Sequence, residues 1–308
     1  MKQGGHHDVM FETTLKSVDT EDPVDLVFYR PIGYRWARFF HRLGIAPNTV
    51  TVISIFVGIS AGVFLYFENI WYNMAGMLLL VCAHLLDCTD GQLARMTGAF
   101  SRLGRILDRF SGCAWSVSVY IVLCLRLMNS GWDLSVFFLA LIAGYFHLFQ
   151  ASVVDYYRNF HLLFLKGKSA CECELEDKKQ LHLNFKRLSW NKNLIKKLFL
   201  FFYLQYTISQ EISSPDMQEL RRLVKMRFGE DIPDWLRMQF REKSEALMKY
   251  NSLLSFNIRI ITLFIALLLN EVWFYFVFEL TVMNGVLFYV IYRHEKMCRY
   301  FIGKLNRG

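Results

Sequence analysis

Residues 85–112 read LLDCTDGQLARMTGAFSRLGRILDRFSG, and this stretch decides the fold because it sets Asp87, Asp90 and Asp108 inside apolar sequence. A carboxylate in hydrocarbon is costly unless it is paired, metal-bound or turned toward water, so acids embedded in apolar spans mark function. Asp87 and Asp90 stand three apart, on one face of a helix, and Asp108 follows on the next apolar segment. Midway between Asp87 and Asp108 lie Thr97 and Gly98, where glycine suits a helix C-terminus and a turn. Two antiparallel helices turning there bring the three carboxylates to similar depths, on the order of 10–15 Å from the loop. On the second helix Gly104, Asp108 and Gly112 form an i, i+4, i+8 stripe, so the acid is flanked by two positions with no side chain. That leaves room for a ligand or a close helix neighbour.

Three hard oxygen donors converging in a low-dielectric site suit Mg²⁺, Mn²⁺ or Ca²⁺ far better than a soft metal. A divalent ion would offset the carboxylate charge and present a Lewis acid to a phosphate. Arg95, Arg102 and Arg105 at the loop end add cations for a phosphate ligand.

The pattern resembles the signature of the CDP-alcohol phosphotransferases (CDP-alcohol phosphatidyltransferases), integral membrane enzymes of phospholipid synthesis. That signature is Asp, two residues, Asp-Gly, two residues, Ala-Arg, eight residues, Gly, three residues, Asp, three residues, Asp. Here it reads Asp87, Asp90-Gly91, Ala94-Arg95, Gly104, Asp108, with Gly112 where the family has its fourth Asp. The family assigns metal binding and the general base to that eighth position.

Composition agrees with a polytopic membrane protein: 54% hydrophobic residues, 16% aromatic and a positive mean hydropathy. The formal net charge of +8 then reads as topology and anionic-lipid contact, since nothing resembles a nucleic-acid module. Cys82, Cys88, Cys113 and Cys124 lie in apolar segments and Cys171-Glu172-Cys173 in a polar insert, which is no disulfide framework.

In chain order, residues 1–25 form a polar arm containing His6-His7, without an apolar signal-peptide core, and read as a mobile cytosolic segment. From Leu26 to Leu43, aromatics mixed with Arg30, Arg35, Arg38, His41 and Arg42 have the composition of a helix lying in the membrane interface. Gly44 to Thr51 then opens an apolar helix with Pro47-Asn48 and hydroxyls in its first turn, where free N–H groups favour phosphate. It resembles the family's Pro-Asn-x-x-Thr element, which helps hold the CDP-lipid.

Six apolar spans follow, at about 50–67, 71–94, 104–127, 132–154 (continuing to 165), 253–269 and 272–292, each near the ~20 residues a bilayer requires. The fold class is an all-α integral membrane protein with six transmembrane helices, an N-terminal interfacial helix and a cytoplasmic helical insert. Its domains are the arm (1–25), the interfacial helix and first four spans (26–165), the insert (166–249), the last two spans (250–293) and a basic tail (294–308). Basic residues crowd the N-terminal segment at Arg30, Arg35, Arg38 and Arg42, the loop after the second span, the insert and the tail. Turns at Glu68-Asn69 and Asn270-Glu271 have none, and the turn after the third span has only Arg126. Both termini are therefore expected in the cytoplasm of a bacterial inner membrane or an endomembrane, with the aspartate hairpin opening to that side. Within the insert, Leu198–Ile208 is apolar but short, favouring an interfacial or re-entrant helix over an additional span, and Asp216–Lys249 has the pattern of amphipathic helices.

Other residues have plainer readings. His84, one turn before Asp87, reads as a hydrogen-bonded packing histidine, contact with the acid cluster being the alternative. Asp155-Tyr156-Tyr157-Arg158 reads as an interfacial aromatic belt with a snorkelling arginine, Asp155 being the nearest spare carboxylate to serve as a substitute base. Arg126 and Arg259 are expected to snorkel or bind a lipid phosphate.

The resemblance implies attack by an acceptor hydroxyl on the phosphorus nearest the alcohol of a CDP-alcohol such as CDP-diacylglycerol, displacing CMP. One or two Mg²⁺ or Mn²⁺ ions would sit on Asp87, Asp90 and Asp108. Asn48, Thr51, Gly91, Ala94, Arg95, Ser101 and Gly104 match family positions near the nucleotide and diphosphate. The acceptor is a small polyol, a polyol phosphate or another alcohol; membrane lipids and a homodimer partner complete the expected contacts, and nucleic acid is not among them. Two other classes stay open: a catalytically impaired CDP-lipid-binding homologue lacking the base at Gly112, and a transporter.

Overall fold

The computed structural model describes residues 11–166, 178–189, 194–229 and 231–307, and among these every regular element is a helix. The helices are α1 (Arg30–Arg42), α2 (Pro47–Leu65), α3 (Ile70–Thr97), α4 (Arg102–Asn129), α5 (Ser135–Lys166), α6 (Lys178–Arg187), α7 (Leu194–Ser213), α8 (Pro215–Phe228), α9 (Asp234–Asn251), α10 (Phe256–Leu268), α11 (Trp273–Leu280) and α12 (Val282–Arg307). A π-helical turn, Asp25–Tyr29, runs into α1. Among the described residues six segments are long and apolar enough to cross a bilayer: Pro47–Leu65, Ile70–Thr97, Phe110–Asn129, Ser135–Leu165, Asp234–Leu268 and Trp273–Arg307. Phe56, Val63, Trp71, Leu78, Val117, Phe138, Leu141 and Ile261 on these segments are exposed. Water would make them an unfavourable apolar surface; lipid makes them solvated, and the chain is an all-α, multi-pass membrane protein.

The described residues form two compact units. The first takes the chain through Gly144 together with Phe256–Leu280. Its boundaries follow from local chemistry. Pro47 occupies the first turn of α2, where its missing N–H costs nothing. Asn69 caps α3 by accepting from the Trp71 N–H at 2.9 Å. Gly98, with φ +66°, closes α3, and the Ser101 hydroxyl accepts the Gly104 N–H at 2.8 Å to start α4.

Close approach of α2 to α4 needs the small residues Gly58 and Gly62. A Cβ on Gly58 would stand 2.0 Å from the Trp115 ring, and one on Gly62 2.2 Å from Ser118 Oγ. The same contacts carry hydrogen bonds, Trp115 Nε1 to the Ser54 carbonyl (3.0 Å) and Ser118 Oγ to the Ile59 carbonyl (3.1 Å). Small residues at i and i+4 with polar ties across helices supply attraction that lipid does not. Away from the acids, Ala61, Leu65, Met77, Leu80, Leu123, Leu263 and Phe276 make the core.

The second unit comprises Tyr145–Ser255 and the chain from Thr281 onward. Phe164 stacks on Phe240 at 4.0 Å, and the Glu295 carboxylate accepts from the Asp216 and Met217 N–H groups at the start of α8. The amphipathic helices expected over 216–249 are present as α8 and α9. The basic tail is not a separate segment: α12 continues through it to Arg307, burying His294, Glu295, Cys298, Phe301 and Leu305. Tyr156 and Tyr157 are no interfacial belt either, being buried with their hydroxyls bonded to Gln218 (2.7 Å) and Ser214 (2.8 Å). His6-His7 and Cys171-Glu172-Cys173 lie outside the described residues.

Two arginines in the first unit do not snorkel. Arg126 is buried and donates to the Leu65 carbonyl (3.2 Å), Asn73 Oδ1 (3.0 Å) and Asn270 Oδ1 (2.6 Å). Arg259 pairs with the buried Glu279 carboxylate. Neutral acceptors take the Arg126 donors and a carboxylate balances Arg259, so both find partners inside the bundle without reaching the interface.

Candidate functional site

The hairpin of α3 and α4 sets the three aspartates within electrostatic reach of one another. Asp87 and Asp108 lie close enough to interact electrostatically, and Asp90 interacts with both. Ser111 fixes the level of one helix on the other: its hydroxyl stands 2.6 Å from Asp87 Oδ1 and 2.7 Å from the Asp108 carbonyl. Asp108 is exposed, Asp87 half-buried and Asp90 buried. The Thr51 hydroxyl and the Gly91 N–H lie against the Asp90 carboxylate, yet its Oδ2 is buried with no hydrogen-bond partner.

A buried acceptor left unpaired costs roughly 1–3 kcal/mol, more when charged. An oxygen of this kind beside two further carboxylates has the chemistry of a hard-cation ligand, and the donor set fits a divalent ion. Among the described residues no group of three or more His, Cys, Asp or Glu side chains is already drawn together as a metal cage.

The predicted phosphate-side residues gather where α2 meets the hairpin loop. Asn48 Nδ2 lies 3.4 Å from Ser101 Oγ, and a Cβ on Gly104 would fall 2.6 Å from Asn48 Oδ1. Thr51, buried in the first turns of α2, donates to the Pro47 carbonyl at 3.2 Å. Gly91 faces Arg95, whose Nη2 would be 3.2 Å from a Cβ there. Ala94 is half-buried on α3. The side chains of Arg102 and Arg105 lie outside the described residues. Around Gly112 the space is open, with no atom within 4 Å of a Cβ placed there. Asp155 belongs to the second unit, where its carboxylate accepts from the Tyr206 hydroxyl at 2.6 Å.

The sequence reading missed the N-terminal segment. Residues 11–25 are not a mobile arm: Thr14, Leu15 and Asp22 are buried. The Thr14 carbonyl accepts from Arg95 Nε, and its hydroxyl accepts from Gln92 Nε2 at 3.1 Å. Glu21 pairs with Arg30 at 2.8 Å, and Asn257 on α10 donates to Asp22 (2.9 Å) and Asp25 (2.8 Å). Asp25 Oδ1 also stands 3.4 Å from His84 Nε2. Burial raises the Asp25 pKa, but hydrogen bonds from His84 and Asn257 and the nearby His84 and Arg30 charges prevail and hold it below the ordinary carboxylate value. Tyr29 is pushed up to about 12, by burial first and then by the Asp25 charge. The available signal was the acidic run Glu21, Asp22, Asp25 ahead of Arg30; Ser111, three residues past Asp108, was the other.

Residues 44–159 match the CDP-alcohol phosphatidyltransferase family, and this domain contains the whole acid signature. The archaetidylinositol phosphate synthase of Pyrococcus horikoshii is 36% identical over 103 residues, which cover 33% of this chain and 52% of that protein. An uncharacterized protein of Aquifex aeolicus is 31% identical over 81 residues, 26% of this chain and 40% of its own length. The chain thus spans about half the length of these curated relatives, or less. No solved structure matches it.

Proposed function

We propose that this chain, carrying a CDP-alcohol phosphatidyltransferase domain at residues 44–159, moves a phospho-alcohol group from a CDP-alcohol, such as CDP-diacylglycerol, to a hydroxyl acceptor with release of CMP. The single observation that carries the reading is Asp90 Oδ2, buried without a partner beside Asp87 and Asp108. An intramembrane acid site of this kind is costly unless a cation and a charged ligand complete it.

Asp87, Asp90 and Asp108 would hold the divalent ion, Mg²⁺ or Mn²⁺, which when bound supplies Lewis-acid stabilisation of phosphate charge. The chain's own residues do the remaining work. The first turn of α2, with Asn48 against Ser101, offers backbone N–H groups and amide donors to the diphosphate. Gly91 and Gly104 let backbone approach closely at the positions where a Cβ would meet Arg95 and Asn48. Arg95, held by the Thr14 carbonyl, brings a cation to the same end of the hairpin. The reacting oxygen forms a bond to the phosphorus nearest the lipid alcohol as the bond from that phosphorus to CMP breaks.

The similarity to an archaetidylinositol phosphate synthase favours a phosphorylated polyol as acceptor, and the basic N-terminal and loop segments favour cytoplasmic termini. A binding protein without turnover is the second reading, favoured by the missing side chain at Gly112. The deciding experiment uses the full chain in nanodiscs with labelled CDP-diacylglycerol, Mg²⁺ or Mn²⁺ and a panel of polyols and polyol phosphates, with CMP as readout. Cation-dependent CMP release, stopped by EDTA and lost in Asp87→Ala, is expected. Donor binding with no CMP under any acceptor would overturn the enzyme reading in favour of the binding protein.

A further inference from the structure

Val282–Tyr292 carries no charged residue, and Arg293 is the first charge met on leaving the apolar half of α12. An arginine in that place either pairs with a carboxylate or turns to the membrane surface. Among the described residues no carboxylate pairs with Arg293. We propose that Arg293, with Tyr250, Tyr289 and Lys296, binds the phosphate of an anionic phospholipid of the surrounding bilayer. The site stands apart from the phosphotransfer reading, since all four residues belong to the second unit and lie beyond the matched domain.

The cation is held before any ligand arrives. Arg293 is half-buried, with its guanidinium carbon 5.7 Å from the centre of the Tyr250 ring and 5.6 Å from that of Tyr289. Arg293 Nη1 donates to the Tyr289 hydroxyl at 2.7 Å, and the two rings meet edge-on at 5.2 Å. Tyr250 comes from α9 and the other residues from α12, so two helices build the cage. Such contacts remove the rotamer freedom that a surface arginine would otherwise lose on binding. The remaining N–H groups bond to no protein atom among the described residues, which leaves a planar fork for two phosphate oxygens.

The local charge is positive and uncompensated. Lys296, one turn further along α12, is exposed and has no carboxylate partner among the described residues. The nearby acids are engaged elsewhere. Glu295 is buried, accepting from the Asp216 and Met217 N–H groups, and Asp216 pairs with Arg299 at 3.1 Å.

Apolar surface adjoining the cations selects a lipid over a soluble anion. Gly285, Phe288, Tyr289 and Tyr292 stand at i, i+3, i+4 and i+7, on one face of α12. Phe288 is 64% exposed, Tyr292 55% and Tyr289 41%, and a Cβ on Gly285 would meet nothing within 4 Å. A free phosphate would leave that face bare. A phospholipid covers it, with an acyl chain across Gly285 and Phe288, the tyrosines at the boundary and the phosphate at Arg293. A choline or ethanolamine headgroup would set an ammonium beside Lys296, so like charge disfavours zwitterionic lipids here.

The test titrates the full chain in detergent with phosphatidylglycerol or phosphatidylcholine, reading bound lipid by native mass spectrometry and folding by melting temperature. Wild type is expected to prefer phosphatidylglycerol, and Arg293→Gln to lose about fivefold in affinity for it, the worth of one cation at a lipid surface. Tyr289→Phe keeps the ring without the hydroxyl and should lose about twofold. Arg222→Gln, which removes an exposed arginine from α8, should bind as wild type does, and excess inorganic phosphate should displace no lipid. In phosphatidylcholine nanodiscs containing phosphatidylglycerol with a diazirine on its acyl chain, illumination should label wild type within Gly285–Tyr292. The proposal is overturned by equal affinity for the two lipids, by an Arg293→Gln protein that binds like wild type, or by an equal loss in Arg222→Gln, which would mean charge alone. Displacement by inorganic phosphate, marking a soluble-anion site, or labelling confined to other helices also overturns it. If Arg293→Gln melts before it can be titrated, Tyr289→Phe and the labelling of wild type decide.

Discussion

Ser111 and Asp87 face each other across the hairpin at 2.6 Å, with the Ser111 hydroxyl as donor and the carboxylate as acceptor. One hydroxyl hydrogen serves two acceptors, because the Asp108 carbonyl stands 2.7 Å away. The serine thereby couples the acid of α3 to the backbone that carries the acid of α4. Outer partners that orient a ligating carboxylate commonly contribute 10–100-fold to affinity or activity. Ser111→Ala is expected to weaken Mn²⁺ binding and CMP release by roughly tenfold, while the cost in stability stays near ~1 kcal/mol. Titration of both quantities with Mn²⁺ checks it, and unchanged cation dependence would show that the hydrogen bond only packs the helices.

The two glycines flanking Asp108 are predicted to behave in opposite ways. Gly104 has Asn48 Oδ1 at 2.6 Å and Ser101 Oγ at 3.0 Å from a hypothetical Cβ, whereas Gly112 has nothing within 4 Å. Gly104→Ala must push Asn48 off Ser101, and an increase of about tenfold in KM for the CDP donor is expected, since misplacing a positioning group is costly even far from the bond that breaks. Gly112→Ala should fold normally and lower KM or kcat little. Measured donor KM for the two variants separates them, and equal effects would mean the stripe is simply a packing seam.

The hairpin itself was legible because it is local: a Gly at the turn, a Ser three residues later and acids at fixed spacing all act within about one helical turn. Gly98 ends its helix as read, and Ser101 caps the next. What could not be read were ties between residues distant in sequence. Asn257 reaches Asp22 and Asp25 across more than 230 positions, and a segment with as few apolar residues as 11–25 has no periodicity to announce that it packs. Arg126 and Arg259 were misjudged for the same reason, because the partners that let them stay buried, Asn73 with Asn270 and Glu279, lie far away in sequence on other helices or turns. The C-terminal helix outran its apolar pattern because burial of Cys298, Phe301 and Leu305 is spaced among charges.

Asp25 makes stability depend on acid pH in a direction that can be stated. Folding lowers its pKa below the ordinary 3.8, so the folded state binds its proton less readily than the unfolded chain. The contribution is complete above the unfolded value and is lost as pH falls through the lower folded value. Melting temperature of wild type should therefore drop, relative to Asp25→Asn, between about pH 5 and about pH 2. Parallel curves for the two proteins over that range would remove the ion-pair account of the Asp25–His84 contact.

Arg126 offers a test of the fold that leaves the site alone. Its guanidinium sits at the opposite end of α4 from Asp108 and joins three neutral acceptors, the Leu65 carbonyl, Asn73 Oδ1 and Asn270 Oδ1, from the ends of α2 and α3 and the turn before α11. No carboxylate among these balances the charge, so the arginine is held by the geometry of its fork, which presents donors in two directions at once. Arg126→Met keeps most of the stem but leaves the acceptors without a donor, at roughly 1–3 kcal/mol for each one that cannot reach water. With the turn at the membrane edge some of these will be hydrated, and a loss on the order of 3 kcal/mol, or about 5–10 °C in melting temperature, is expected. Arg126→Lys should recover only part, since a single ammonium cannot span acceptors on both sides. CMP release per folded molecule, measured well below the melting temperature, should stay within about twofold of wild type for both variants, and a selective loss of turnover would tie this end of the bundle to the chemistry.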